Sequence, residues 1–114
     1  MEGLAYRGLG NETLTDSERL ALTFNIERDN ITAHILDVCK SLEHPEDYFD
    51  DMSRCIIGQD GEAVYKTHFF LMNEEGFKMV AKHLNNYQVT QLFLSSFEAL
   101  ESGISDPINL HKYL

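Results

Sequence analysis

Several residue types and patterns that mark whole classes of protein are scarce or missing in this chain. Its 114 residues include no tryptophan, two prolines and two cysteines. It has no apolar run of about 18 residues, so no segment reads as a membrane-spanning helix. Cys39 and Cys55 have neither CxxC spacing nor a nearby histidine pattern. We expect both thiols to stay reduced, without a disulfide, and to serve as small core residues.

The first residues lack the features of a secretion signal. Met1 to Leu4 include no basic region, and no apolar core follows them. We therefore expect a cytoplasmic protein. Its length and its hydrophobic content of 43% fit one compact domain with a modest core.

Basic residues are also scarce. Their distribution argues against ordinary DNA binding but not against binding to another protein. Nineteen acids face nine bases, for a formal net charge of −10. Residues 1–51 hold twelve of the acids and only four bases, which gives that half −8, whereas residues 52–114 have −2. DNA-binding proteins gain affinity by neutralising phosphates with lysine and arginine. The sequence therefore disfavours direct nucleic-acid binding.

No motif indicates catalysis or a cofactor. The chain has no G-x-S-x-G, no HExxH and no phosphate-cradling glycine loop. Its five histidines, at positions 34, 44, 68, 83 and 111, show no metal-ligand spacing. We predict a non-enzymatic protein without a catalytic site, metal or cofactor.

Hydrophobic spacing predicts two helices in the first half. Thr15 as N-cap, with Glu18 three residues later, is typical of a capping box and starts a helix that runs to about Phe24. After a short turn, a second helix is expected from Asp29 to about Leu42. Residues 1–14 are interpreted as a flexible or edge-strand arm.

The second half predicts a hairpin and two more helices. Strands are expected near residues 52–58 and 63–72, around two turn-forming glycines. Asn73 is a good N-cap for a third helix that Asn85 and Asn86 stop, and a fourth helix follows. The fold class is α+β: a helix-turn-helix-like pair, a wing-like β-hairpin, two further helices and a short C-terminal tail. The domain spans residues 15–102 and the tail spans residues 103–114.

The order and intervals of these elements resemble the Rha family of phage regulatory proteins. In that family a strand ending in Tyr/Phe-x-Leu precedes a T/N-x-x-Gly-Phe helix start and a closing helix of the type Ala-Phe-x-x-Met/Leu-Glu. The likeness covers roughly residues 15–102, including Asp16 to Ala21 and Arg28 to Ile35 in the front half. The matching residues of the back half are Phe69, Leu71, Asn73, Gly76, Phe77, Phe97, Ala99, Leu100 and Glu101.

The resemblance implies a role in phage regulation inside a bacterial host cell. With the acidic charge, it favours a protein-binding antirepressor that inactivates a prophage repressor. Two alternatives stay open: a DNA-binding transcriptional regulator of winged-helix type, and an acidic inhibitor of a host defence protein. Where the family often has Gly-x-Lys-Ala between its last two helices, this chain has Asn85 to Val89, which removes a basic patch.

The second helix and the acidic segment after it are the candidate partner-binding surfaces. On the helix, Arg28 and Asn30 suit base edges in DNA, whereas Asp29 and Asp37 repel it. The helix is therefore either a DNA reader or a solvated, protein-facing helix. The acidic segment is either a solvated linker anchored by an aromatic residue or a mimic of phosphate charge. Its candidate residues are Glu46, Asp47, Asp50 and Asp51.

Apolar residues away from the main helical stripes predict a homo-oligomer, either a dimer or a tetramer. Met79, Tyr87 and Leu94 lie off the stripes of the third and fourth helices, which suggests a contact surface. The tail adds further apolar residues, and it could cover that surface within one chain or across to a neighbour. The tail residues of this candidate interface are Ile108, Leu110 and Tyr113.

Overall fold

The computed structural model describes residues 3–52, 54–67 and 69–102, which form four helices, one turn of 3-10 helix and six strands. The tail at 103–114, with the predicted interface residues Ile108, Leu110 and Tyr113, lies outside the described residues. The elements are, in chain order, β1 (Tyr6–Arg7), β2 (Thr13–Asp16), α1 (Ser17–Phe24), α2 (Arg28–Lys40), the 3-10 turn η1 (Pro45–Asp47), β3 (Phe49–Asp51), β4 (Arg54–Ile57), β5 (Ala63–Thr67), β6 (Phe70–Met72), α3 (Glu74–Leu84) and α4 (Tyr87–Ser102).

Four of the strands form an antiparallel sheet in the order β1-β2-β6-β3. Thr15 of β2 and Phe49 of β3 both pair with Met72 of β6, so residues distant in the sequence meet on a central strand. β4 and β5 form a separate two-stranded hairpin. The α+β class, the helix pair, the hairpin and the two later helices agree with the sequence prediction. The predicted strand at 63–72 is in fact two strands in two different sheets.

The described part of the N-terminal segment, from residue 3 onward, includes an edge strand and packs on the domain. β1 pairs only with β2 in the sheet order, and Leu4 and Ala5 just before it are buried. The Ala5 amide donates to the Ser96 hydroxyl of α4 at 2.9 Å. Of the two interpretations of this segment, the structure has the edge strand. Because β2 spans Thr13–Asp16, the predicted boundary between residues 14 and 15 falls inside a strand.

The predicted capping box at the start of α1 is wrong by one residue. Asp16 is the N-cap, and its carboxylate accepts from the Arg19 amide at 2.8 Å. Thr15 belongs instead to β2, and its buried hydroxyl donates to the Leu4 carbonyl at 2.6 Å. Either residue can cap a helix. Sheet pairing holds Thr15 in the strand, so the helix begins one residue later than the sequence predicts.

Both ends of α3 agree with the prediction. The Asn73 side chain accepts from the Gly76 amide at 2.8 Å, and Asn85 ends the helix in the left-handed conformation with φ of 52°.

The core lies between the helices and the four-stranded sheet. There the ring of Phe93 stacks on that of Phe77, with centroids 4.9 Å apart, and on that of Phe24 at 5.7 Å.

Candidate functional site

The junction of α1 and α2 has the short turn of a helix-turn-helix pair. Asn25 ends α1 in the left-handed conformation with φ of 57°, and the Ile26 amide donates to the Ala21 carbonyl at 3.0 Å. Only three residues, 25–27, separate α1 from α2, which begins at Arg28. The Arg28 guanidinium pairs with the Glu18 carboxylate at 2.9 Å. This cation is therefore engaged within the protein, at the helix end that a DNA reader would present.

The outward face of α2 is acidic. Ile31, Ile35 and Val38 are buried, so the opposite side of the helix faces solvent. The predicted residues Asp29, Asn30 and Asp37 are all exposed on α2. The Asp37 carboxylate lies 3.9 Å from the Lys40 ammonium group, at the outer limit of an ion pair. In these geometries an approaching phosphate backbone would meet carboxylates before it met a free cation.

The predicted acidic segment forms η1 and β3, and an aromatic residue anchors it. Phe49 is buried and Tyr48 is half-buried against the core, as the linker interpretation expects. The Asp47 carbonyl accepts from the Asn73 side-chain amide at 3.1 Å, which fixes the segment to the start of α3. The carboxylates of this ordered segment nevertheless face outward: Glu46, Asp47, Asp50 and Asp51 are exposed.

Hydrogen bonds within the segment favour its charged state. The pKa of the exposed Glu46 carboxyl is lowered, first by a hydrogen bond from its own backbone amide and then by the His44 side chain. His44 Nδ1 lies 3.2 Å from Glu46 Oε1. Glu46 therefore holds its negative charge to a lower pH than an ordinary glutamate.

The end of the predicted acidic segment lies near the C-terminal end of α2. Burial, and after it the charge of Asp51, raises the pKa of the Cys39 thiol. Asp51 of β3 therefore lies near the last turn of α2. Two exposed apolar side chains, Leu36 on α2 and Met52 just after β3, were not predicted. We use the name acidic face for the exposed acids of α2 and of the segment after it, which are Asp29, Asp37, Glu43, Glu46, Asp47, Asp50 and Asp51.

The predicted oligomer surface is only partly outward. Met79 and Leu94 pack against the core, so the expectation that they point away from it is wrong. Angular position on an isolated helix misled here, because α3 and α4 also contact neighbours beside their main stripes. Tyr87 is 76% exposed, as predicted. Leu92, whose helical spacing predicts a place on the packed stripe of the fourth helix, is instead 41% exposed. Tyr87 borders a cavity of about 480 Å³ between the end of α3 and the start of α4.

The described residues hold no multi-ligand metal centre. No three histidine, cysteine, aspartate or glutamate side chains group closely enough there to hold a metal ion. Cys39 forms no disulfide. No helix in that part of the chain is long and apolar enough to cross a membrane.

One contact between ionisable side chains was missed by sequence reasoning. The rings of His34 on α2 and His83 on α3 lie with their centroids 5.7 Å apart. The two residues are far apart in the sequence, so no local motif announces the contact. The only sequence signal is that each histidine sits at the edge of its helix's apolar stripe.

Comparison with known proteins adds no relative. No family model, no curated protein and no solved structure matches the chain. The likeness to the Rha family therefore rests on the sequence motifs alone.

Proposed function

We propose that this chain is a non-enzymatic phage regulatory protein that acts by protein contact in the cytoplasm of the bacterial host. Its acidic face would bind a basic surface of a prophage repressor and displace the repressor from DNA. The observation that carries this proposal is the set of exposed carboxylates on α2 and on the ordered segment after it, namely Asp29, Asp37, Glu43, Glu46, Asp47, Asp50 and Asp51. The Rha resemblance contributes the phage context.

The composition of the acidic face suits a protein partner. Residues 27–51 hold eight acids and two bases. Of those two bases, Arg28 is paired with Glu18 and Lys40 lies near Asp37. The exposed apolar residues Leu36 on α2 and Met52 just after β3 supply the nonpolar contact area that a purely ionic surface lacks.

The mechanism is competition for a basic surface. A repressor holds the phosphate backbone of DNA with lysine and arginine side chains. Carboxylates held on an ordered helix and strand present negative charge without the entropy cost of ordering a loop at binding. An oligomer would contact more than one repressor subunit and so gain effective affinity.

The winged-helix DNA reader is the second candidate, favoured by one observation. α1 and α2 are joined by a three-residue turn, and Asn30 is exposed near the start of α2. A gel-shift titration with phage operator DNA at low salt, where phosphate contacts are strongest, separates the two candidates. We expect no sub-micromolar shift; such a shift would support the DNA reader.

Capture from a lysogenic host tests the antirepressor proposal. The immobilised protein is exposed to the lysate beside two variants that each lose four negative charges. The face variant carries Asp29→Asn, Asp37→Asn, Glu46→Gln and Asp50→Asn. The control variant carries the same type of change at exposed acids elsewhere, namely Asp60→Asn, Glu62→Gln, Glu75→Gln and Glu98→Gln.

We expect the wild type and the control variant, but not the face variant, to retain a repressor and to release it from operator DNA in a gel shift. Retention of a nuclease or another defence protein would support the host-inhibitor alternative. Equal retention of the repressor by the face variant would show that the acidic face is not the binding surface. No retained protein at all would contradict the proposal.

A further inference from the structure

The contact between His34 and His83 joins two helices at the protein surface. His34 lies on α2, half-buried, and His83 lies in the last turn of α3, exposed. Their ring centroids are 5.7 Å apart and the ring planes are inclined by 32°. Both imidazoles can therefore be reached from solvent, although the backbones that carry them are packed together.

This separation suits two imidazoles that share one metal ion. Zinc binds a histidine nitrogen at about 2.1 Å, and the ring centre lies roughly 1.2 Å beyond that nitrogen, so a tetrahedral pair has centroids about 5.3 Å apart. A nitrogen–metal–nitrogen angle modestly wider than tetrahedral gives the observed distance of 5.7 Å between the ring centroids. Rings that share a metal can rotate about their metal–nitrogen bonds, so an inclination of 32° is compatible with the arrangement.

We propose that His34 and His83 form a two-histidine site for a divalent transition-metal ion of the zinc class, which clamps α2 to α3. Neutral imidazole is the commonest protein ligand for such ions. In the part of the chain that the structure describes, no third strong ligand joins the pair. Water therefore completes the coordination, and the ion exchanges readily. The inference is independent of the proposed function.

The electrostatic surroundings support a cation. The carbonyl groups of the last turn of α3 carry partial negative charge beside His83. Asp37 lies one turn after His34 on α2, and the chain as a whole has a net charge of −10. Lys82, next to His83, opposes the ion, but its exposed side chain can turn away. Because the acidic face includes α2, the clamp would also hold that helix in place.

Calorimetric titration with zinc chloride tests the site on the full chain. We expect one ion per chain. His34→Ala and His83→Ala should each weaken binding by about 100-fold or more, because loss of a ligand's hydrogen-bond partner alone costs roughly 10–100-fold. His44→Ala is the matched control, since this exposed histidine contacts only Glu46 among the described contacts. It should bind zinc as the wild type does.

A second measurement covers variants that fold poorly. In proton–nitrogen spectra of the wild-type imidazoles, zinc should shift the ring signals of His34 and His83 together, at one equivalent, and leave His44 unchanged. Unchanged zinc binding in the double variant His34→Ala/His83→Ala would overturn the proposal. Shifts confined to other histidines would also overturn it and leave a plain ring contact.

Discussion

Cys39 of α2 and Asp51 of β3 lie close enough for the carboxylate to reinforce the larger effect of burial in raising the pKa of the Cys39 thiol. This relationship places the end of the acidic segment near the last turn of α2. It also makes the contact measurable in solution, because only the thiolate form reacts with alkylating reagents.

We expect Cys39 to be alkylated slowly near neutral pH, with its midpoint above that of an ordinary cysteine. Asp51→Asn should lower the midpoint, because the neutral amide no longer disfavours the thiolate. Iodoacetamide rates against pH, measured in a Cys55→Ser background, report this. Asp50→Asn on the same strand is the control and should leave the midpoint unchanged. If Asp51→Asn also leaves it unchanged, the two elements do not meet as described.

We expect Asp16→Ala to destabilise the fold by roughly 2 kcal/mol, from a lost helix cap and a lost hydrogen bond of the Tyr6 hydroxyl. That hydroxyl donates to the Asp16 carboxylate at 2.8 Å, and Arg19 pairs with the same group. Urea unfolding measures the change. Asp16→Asn keeps a capping oxygen and should cost less. Glu18→Gln, which removes only the exposed ion pair with Arg28, should change stability by no more than about 0.5 kcal/mol.

We expect Gly76→Ala to destabilise the protein by about 1–3 kcal/mol, although alanine is the better helix former. An added Cβ would lie 2.9 Å from the Tyr48 carbonyl oxygen and 3.3 Å from the Phe49 ring. Backbone cannot move aside cheaply at such a distance. Thermal unfolding measures the change. In this assay the control Ser95→Ala, at an exposed position of α4, should stabilise the protein slightly. A gain in stability for Gly76→Ala would mean that Tyr48 and Phe49 do not pack against Gly76 as described.

We expect mild acidification to stabilise the protein through the contact between Glu101 of α4 and Glu74 of α3. The pKa of Glu101 is raised, chiefly by its hydrogen bond with Glu74 and then by the charge of that residue. A raised carboxyl pKa means that the folded state holds the proton more tightly. The favourable contribution is therefore complete in acid and is lost as pH rises through the folded-state pKa.

Glu101→Gln should consequently raise the melting temperature at pH 7 and lose this advantage in acid, below the ordinary glutamate pKa. Glu43→Gln removes the same charge from an exposed position and serves as the control in the pH series. Equal effects of the two variants at every pH would show general charge repulsion rather than a Glu74–Glu101 contact.

We predict a homo-oligomer, with Tyr87 rather than Leu94 as the residue to test. Light scattering should report a mass at least twice 13.1 kDa. Tyr87→Glu should lower that mass without unfolding the chain, because the side chain is 76% exposed. Leu94→Glu should instead lower stability, since Leu94 packs against the core. A monomeric wild type, or normal assembly of Tyr87→Glu, would place this prediction in error.

The helices were predictable because their signals are local. The run of apolar residues at helical spacing and the caps Asn73 and Asn85 lie within the segment that they define, and α3 begins and ends where they indicate. The acidity of residues 1–51 likewise follows from composition alone. The first cap of α1 was misplaced because Thr15 and Asp16 are both good capping residues, and only pairing with Met72 commits Thr15 to a strand.

The four-stranded sheet and the surfaces required the tertiary structure. β1, β3 and β6 have two or three residues each, too few for an alternating pattern, and their partners are distant in the sequence. Cys39 and Asp51 also come from different elements of the chain, as do His34 and His83. By itself, the sequence determined the helices, the hairpin and the negative charge, because neighbouring residues encode them. Packing decided which side chains stay exposed and which meet, because burial depends on contacts between segments that no local pattern records.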